Sequence, residues 1–425
     1  MAEKKETSIL HIGAPKTGTT ALQFGLATYD DGVSTYARFP TSPDNPNHSE
    51  PLTLMGLGPD GVADRVEDYR QWAAGGHTMK WPKSIPMKFF LREGKAPDMA
   101  AVQAAFEKSI DDVPHRRIIY SAESLFSGDD SATGLVAALK DRFELIHGIC
   151  YLRPCVGGLV SGFQQRLAQT NPALFFADDV LQSLDELTFH DAEYLSRWRE
   201  LLSGDRLELA VYDRHRMTDG DIVSDFCHRM RLEPSKAQKI KLNQSFSAEA
   251  TAILAALSHY GDVPRGDPNF TRNKAYFNIL MYQFGAGKLG LSDAFANRLF
   301  AANGEALDWL DNLCGHDYAR SRSKASHELD WSEDLFEICQ DTLPDACKFL
   351  RAQGGKAFKR LPQDAEGFAR ALCEILRQPD PFPKRRLPPS FDAAQYYVLN
   401  PDIARTGAKA KDHFLAHGCF EGRFF

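Results

Sequence analysis

The chain has 425 residues, 43% hydrophobic and 25% charged, an ordinary globular composition with enough apolar content for one large domain and a smaller one. A formal net charge of −7 excludes generic nucleic-acid binding, which needs a concentrated basic face, so any anionic ligand must be held locally. No apolar run approaches the roughly 20 residues of a membrane helix, so a spanning segment is not expected. The opening Met-Ala-Glu-Lys-Lys-Glu-Thr lacks the apolar stretch of a signal peptide, which makes a cytoplasmic protein the expectation. The eight cysteines are scattered without CxxC pairs or His-coupled spacing, a pattern of reduced thiols rather than of disulfides or zinc.

In chain order, Ser8–Ile12 reads as a short buried strand, followed by a loop containing Gly13, Pro15 and Gly18 and by a helix over Thr20–Leu26. Thr41–Pro51, rich in Pro, Asn and Ser, reads as a loop. Gly75–Pro97 reads as an insertion in which Lys80, Lys83, Lys88, Arg92 and Lys95 alternate with Trp81, Phe89 and Phe90. Further strands are predicted at Arg117–Ser121, Leu145–Leu152 and Leu207–Tyr212, separated by helices over Gly134–Phe143 and Ala192–Leu202. This alternation predicts an α/β fold with a central parallel sheet covered by helices on both faces.

From about Ser245 the pattern turns helical, with segments over Ala248–Ser258, Leu291–Asn303 and Phe368–Leu376, the first of them capped by Ser247 after Asn243-Gln244-Ser245-Phe246. Gln378–Pro389 is rich in proline and reads as a stiff linker before a small helical module. The expected organisation is therefore a domain over 1–378 with helical additions from about 245, a linker over 379–389 and a module over 390–425.

The loop Gly13-Ala14-Pro15-Lys16-Thr17-Gly18-Thr19-Thr20 lies between a strand and a helix, where backbone N–H groups and the helix dipole favour an anion. A nucleoside-triphosphate loop places its lysine directly after the second glycine; here Lys16 precedes Gly18 by two residues, so that motif fails. Lys16 can instead reach across the loop mouth, with hydroxyls from Thr17, Thr19 and Thr20 and close backbone approach at Gly18.

The string Pro-Lys-Thr-Gly-Thr-Thr resembles the 5′-phosphosulfate loop of the sulfotransferase superfamily, and the wider segment His11–Gln23 looks especially like its bacterial and heparan-type members. The resemblance implies a P-loop-like three-layer fold and a metal-free reaction that uses 3′-phosphoadenosine 5′-phosphosulfate (PAPS) as sulfuryl donor. It assigns Lys16 to the leaving oxygen and Thr17, Gly18, Thr19 and Thr20 to the 5′ end of the donor. Arg153, at the end of a strand, is followed eight positions later by Ser161, the spacing at which the superfamily holds the 3′-phosphate. Val211-Tyr212-Asp213 resembles the segment near the adenine, where Tyr212 can stack on the base.

Two residues are candidates for taking the proton of an acceptor hydroxyl. His48, in Pro-Asn-His-Ser-Glu, lies in the loop after the first helix, where heparan-type and related enzymes place an acid/base residue. Glu123 follows a strand whose C-terminal end should face the crevice in which open α/β sheets bind ligands. His48 is the first choice, Glu123 the second and Glu50 a distant third. The C-terminal Phe391–Tyr397, Asn400–Ile403 and His413–Arg423 segments are similar to a helical module appended to bacterial glycosyltransferases and other surface-polysaccharide enzymes, which implies a carbohydrate acceptor. The basic and aromatic stretch over 80–95 reads either as a lining for such an acceptor or as a solvated insertion. His413 and His417 stand four apart without a third ligand, so no metal is expected there. The alternative to an enzyme is a PAPS-binding scaffold that keeps Lys16, Arg153 and Ser161 but lacks a base; a kinase-like phosphotransferase is disfavoured by the missing glycine-lysine-hydroxyl sequence.

Overall fold

The computed structural model describes residues 3–40, 44–74, 96–168, 189–203, 207–240, 242, 245–262, 267–315, 317–330, 333–354 and 362–425. The chain divides into two compact units, Met1–Arg153 with His190–Lys241, and Pro154–Phe189 with Leu242–Phe425. The basic and aromatic residues Lys80 to Lys95, and Asn243 and Gln244, lie outside the described residues.

In the first unit, short runs that are apolar on both faces form a five-stranded parallel sheet, as expected for strands covered by helices on either side. In chain order the elements are β1 (Lys5–His11), α1 (Thr19–Leu26), β2 (Ser34–Tyr36), α2 (Ser49–Ala74), α3 (Met99–Asp111), β3 (Arg117–Ser121), a 3-10 turn (Glu123–Ser127), α4 (Asp130–Arg142) and β4 (Phe143–Leu152). After α5 (Cys155–Ala168), which belongs to the second unit, come α6 (Asp191–Leu202), β5 (Leu207–Val211) and α7 (Ile222–Arg229). The spatial order is β2-β3-β1-β4-β5, with every neighbouring pair parallel. Ile9 lies opposite Ile119 on one side and His147 on the other, so β1 is the central strand.

The expected strands and helices of this unit are present within a few residues of their predicted ends; Arg117–Ser121 has the predicted bounds. β2, α2 and α3 have no counterpart among the predicted elements. Three-residue β2 is too short to show alternation, and α3 follows the breaker-rich insertion, where its start depends on the Asp98 carboxylate accepting from Ala100 and Ala101. The loop expected over Thr41–Pro51 yields to helix at Ser49. α2 and α4 approach as closely as two backbones can, because Gly56 and Gly134 face each other: a Cβ on Gly134 would lie 2.0 Å from the Gly56 carbonyl oxygen. Trp198 of α6 is fully buried and donates its indole N–H to the Leu125 carbonyl, fixing the turn that follows β3.

A polar chain crosses the far side of β4. The Tyr151 hydroxyl donates to Asp225, which also accepts from Arg229, and Arg229 reaches Glu208 of β5. Each charge in it is answered by another, as burial requires.

The second unit is helical apart from a parallel pair, β6 (Leu289–Leu291) with β7 (His327–Leu329). Its centre is α8 (Ala248–Tyr260), in which every residue from Ala248 to Ser258 except Glu249 is buried. Ser247 caps α8 as expected, accepting from the Ala250 N–H. α9 (Pro268–Met281), α10 (Asp293–Ala302), α11 (Gly304–Cys314), α12 (Glu333–Ala352) and α13 (Ala365–Leu376) follow; the predicted helix over Leu291–Asn303 begins only after β6. The proline-rich segment is anchored by Phe382, which is buried and packs on Tyr276 and Phe277 of α9. Phe420, near the C-terminus, has the guanidinium groups of Arg272 and Arg385 over its ring, 4.0 and 4.8 Å from the ring centre.

All eight cysteines are free thiols. Among the described residues no helix is long and apolar enough to cross a membrane, and no cluster of side chains suits a metal ion.

Candidate functional site

The residues nominated from sequence in the first unit gather at one edge of the sheet. β1, β3, β4 and β5 run in the same direction, and the chain leaves their C-terminal ends through Gly13–Gly18, Glu123, Arg153 and Tyr212 in turn. The chain runs from β1 toward β2 on one side and returns past it to β4 on the other, so β1 sits at the point where strand order reverses. That is where open α/β sheets bind ligands.

The loop after β1 first continues the sheet. Ala14 donates to the Tyr151 carbonyl and Tyr151 donates to the Gly13 carbonyl. The chain then turns through two left-handed residues, Lys16 at φ 64° and Gly18 at φ 78°. Lys16 is not a glycine, so it holds that conformation at a cost of about 1 kcal/mol or more, a kind of strain that clusters at ligand sites. The turn is closed by the Thr17 hydroxyl, buried and donating to the Ala14 carbonyl at 2.5 Å. Gly18 is the N-cap of α1 and offers no side chain to its first N–H groups, leaving the positive end of the helix dipole open.

Glu123, the first residue of the 3-10 turn, faces this loop. Burial pushes its carboxyl above the usual carboxylate range, against the opposing pull of the Lys16 charge and of a hydrogen bond from the Thr19 hydroxyl. Burial pushes Lys16 below the usual lysine range; the Glu123 charge raises it and Arg153 lowers it further. The two shifts run toward each other. Desolvation weakens both charges, and their mutual attraction only partly restores them.

Arg153 follows β4, with its guanidinium carbon 5.0 Å from the centre of the Tyr212 ring. Tyr212 continues the sheet by donating to the Leu152 carbonyl, and its ring covers Gly18: a Cβ there would lie 2.9 Å from Cε2 and 3.0 Å from the hydroxyl oxygen. Gly18 is thus required twice, for its backbone angle and for the tyrosine above it. Thr17 and Thr19 are buried and Thr20 is half-buried. Ser161 lies on α5 of the second unit and is half-buried.

His48 lies elsewhere in the same layer, fully buried. Its Nδ1 accepts from the Ser121 N–H at 3.1 Å, which places the ring proton on Nε2, donating to the Ala37 carbonyl at 3.0 Å. Burial holds its pKa down at about 3, so the ring is neutral, and neither nitrogen is turned to solvent. Glu50 is half-buried in the first turn of α2.

Sequence reasoning passed over a third group. His11 Nδ1 and Ser121 Oγ are 2.8 Å apart, and Gln23 of α1 donates toward the Ser121 oxygens and Asn47 Oδ1. All are buried except Asn47. A histidine ending an apolar strand and a glutamine on the apolar side of α1 were the visible signs.

No protein-family model matches the chain, and no curated protein does. A solved structure, that of a sulfotransferase from Alicyclobacillus acidocaldarius, is similar over 75% of this chain and 98% of its own, with 10% identity and a TM-score of 0.38. The functional reading therefore rests on the residues of the site.

Proposed function

We propose that the protein is a sulfotransferase that moves a sulfuryl group from PAPS to a hydroxyl group of a carbohydrate. The observation that carries this reading is the convergence at one sheet edge of a phosphate-type loop, its desolvated Lys16, a buried carboxyl at Glu123 and a guanidinium at Arg153. The donor set fits an anion with two phosphorylated ends. Lys16 and the open start of α1 suit the 5′-phosphosulfate, Arg153 suits the 3′-phosphate and Tyr212 suits the adenine, and Ser161 is assigned to the 3′-phosphate by its sequence spacing from Arg153 alone.

Sulfuryl transfer asks the protein mainly for in-line placement and for stabilising charge on the leaving oxygen. The acceptor oxygen forms a bond to sulfur as the bond from sulfur to the 5′-phosphate oxygen breaks. The acceptor proton passes to the Glu123 carboxylate, and the Lys16 ammonium, with Thr19 and the first N–H groups of α1, meets the charge left on the phosphate. Glu123 is favoured over His48 for the proton because it faces Lys16, whereas both nitrogens of His48 are bonded to backbone. A base with a raised pKa transfers protons well near neutral pH. The carbohydrate acceptor is supported by the resemblance of the C-terminal segment to modules of surface-polysaccharide enzymes.

Calorimetric binding of 3′-phosphoadenosine 5′-phosphate (PAP), the desulfonated product, tests the reading. Wild type should bind it, Lys16→Ala and Arg153→Ala should each weaken binding by roughly tenfold or more through loss of a charge-assisted hydrogen bond, and ATP with magnesium should not compete. Preference for ATP, or no binding of PAP, would sink it.

A further inference from the structure

We propose that His48 is a positioning residue whose neutral imidazole, together with the neighbouring Ser49, sets the direction in which Glu123 leaves β3. The inference rests on the role given to Glu123 above. Glu123 is one residue into a turn, where a carboxyl has many directions open to it, and a base works only when held in one of them.

The chain on both sides of Glu123 is gripped by two consecutive residues. Before it, the Ser121 N–H donates to His48 Nδ1, and the His48 N–H donates to the Ser121 carbonyl at 3.0 Å. After it, the Ser124 N–H donates to Ser49 Oγ at 3.3 Å, and the Ser124 hydroxyl donates to the Ser49 carbonyl at 3.2 Å. The other side of Ser121 is tied to β1 and α1 through His11 and Gln23, and the Ala122 N–H donates to the His11 carbonyl. The grip is rigid because the His48 ring is itself fixed. Its second nitrogen is spent on Ala37, and it packs against Tyr36 and Phe39 with ring centres 4.5 and 5.1 Å away. A neutral imidazole supplies one acceptor and one donor in a single plane, which is what two backbone partners on opposite sides require.

The groups that face Glu123 are Lys16 and the Thr19 hydroxyl of the loop and α1. α2 packs on the turn through Ser49 and Thr53, with Glu50 in its first turn, and α6 packs on it through Tyr194 and Trp198. A looser turn would let the carboxyl swing from this enclosure into water, and its titration would report the change.

The experiment follows the Glu123 carboxyl by NMR titration of protein labelled with 13C-glutamate, assigned by subtraction of Glu123→Gln, in wild type, His48→Phe and His48→Gln. PAP affinity is measured alongside by calorimetry. His48→Phe should lower the Glu123 midpoint by roughly one pH unit with PAP affinity unchanged. His48→Gln, whose amide can accept from Ser121 and donate to Ala37, should restore the wild-type midpoint. A residue that only supported the core would lower the melting temperature and leave the Glu123 titration where it was; an unmoved midpoint in folded His48→Phe overturns the proposal. Should that variant not fold, Ser49→Ala probes the same grip from the other side, and an unmoved midpoint there is equally fatal. Failure of every protein to bind PAP would sink the sulfotransferase reading instead, and the Glu123 titration would stand apart from it.

Discussion

The two units bury charge in different ways. In the first, Lys16 and Glu123 lie partly shielded with opposite charges in reach of each other, and each has its proton affinity moved toward the other's. In the second, Lys274 of α9 is more deeply buried, yet among the described residues its ammonium is bonded to uncharged oxygens, the Leu167 carbonyl at the end of α5 at 3.2 Å and Asn278 Oδ1 at 2.8 Å. The Asn278 amide then donates to the Ala168 carbonyl, so the pair caps the helix end. In the proposed site, a buried charge opposite another is the one assigned to chemistry. One that fills the carbonyls of a helix end does structural work, and burial lowers its pKa to about 7.

The sharpest way to break this comparison is to remove the carboxylate from the first pair. Glu123→Gln should cut sulfuryl transfer by roughly 10²- to 10⁴-fold, the usual worth of a general base, while PAP still binds in calorimetry. Full activity in that variant would mean the acceptor proton goes elsewhere.

The second unit offers a pH test with a definite sign. Below about pH 7 the folded and unfolded forms both hold the Lys274 proton, and the cost of burying the charge is fully present; between about 7 and the ordinary 10.5 the folded form sheds it first. Stability should therefore rise through that window by a few kcal/mol relative to Lys274→Met, read from urea unfolding of both proteins at several pH values. Parallel curves would show that the lysine is solvated or paired.

A smaller effect is expected at Phe420, where two guanidinium groups rest on ring faces. Phe420→Leu keeps most of the apolar contact and should cost about 1 to 2 kcal/mol through loss of both cation–π contacts, seen as a lower melting temperature with PAP binding untouched.

The central strands, the phosphate-type loop and the Ser247 cap were legible because each is decided within a few residues. Apolar runs of four or five, a glycine beside lysine and threonine, and a serine three before a free N–H carry their structural reason locally. Arg153 and Tyr212 were legible for a related reason: parallel strands share a direction, so the residue after each strand falls at the same edge. β2, α2 and α3 were not legible, since β2 is too short for a pattern, α2 carries Pro51, Gly56, Gly58, Pro59 and Gly61 in its first half, and α3 starts beside an insertion.

The two candidate bases could not be ranked from local pattern. In sequence His48 is a histidine in a polar loop and Glu123 an acid at the start of a turn, and the first looks better suited to proton transfer near neutral pH. Their environments depend on Ser121, 73 positions from His48, and on Lys16, more than a hundred from Glu123. Pairing of β3 beside β1 draws the histidine ring inward onto two backbone groups and turns the carboxyl toward the lysine. The sequence alone determined which chemical groups stand at the ends of the strands. Only the tertiary structure decided which were desolvated and which faced one another, because burial and electrostatic pairing are properties of neighbours in space.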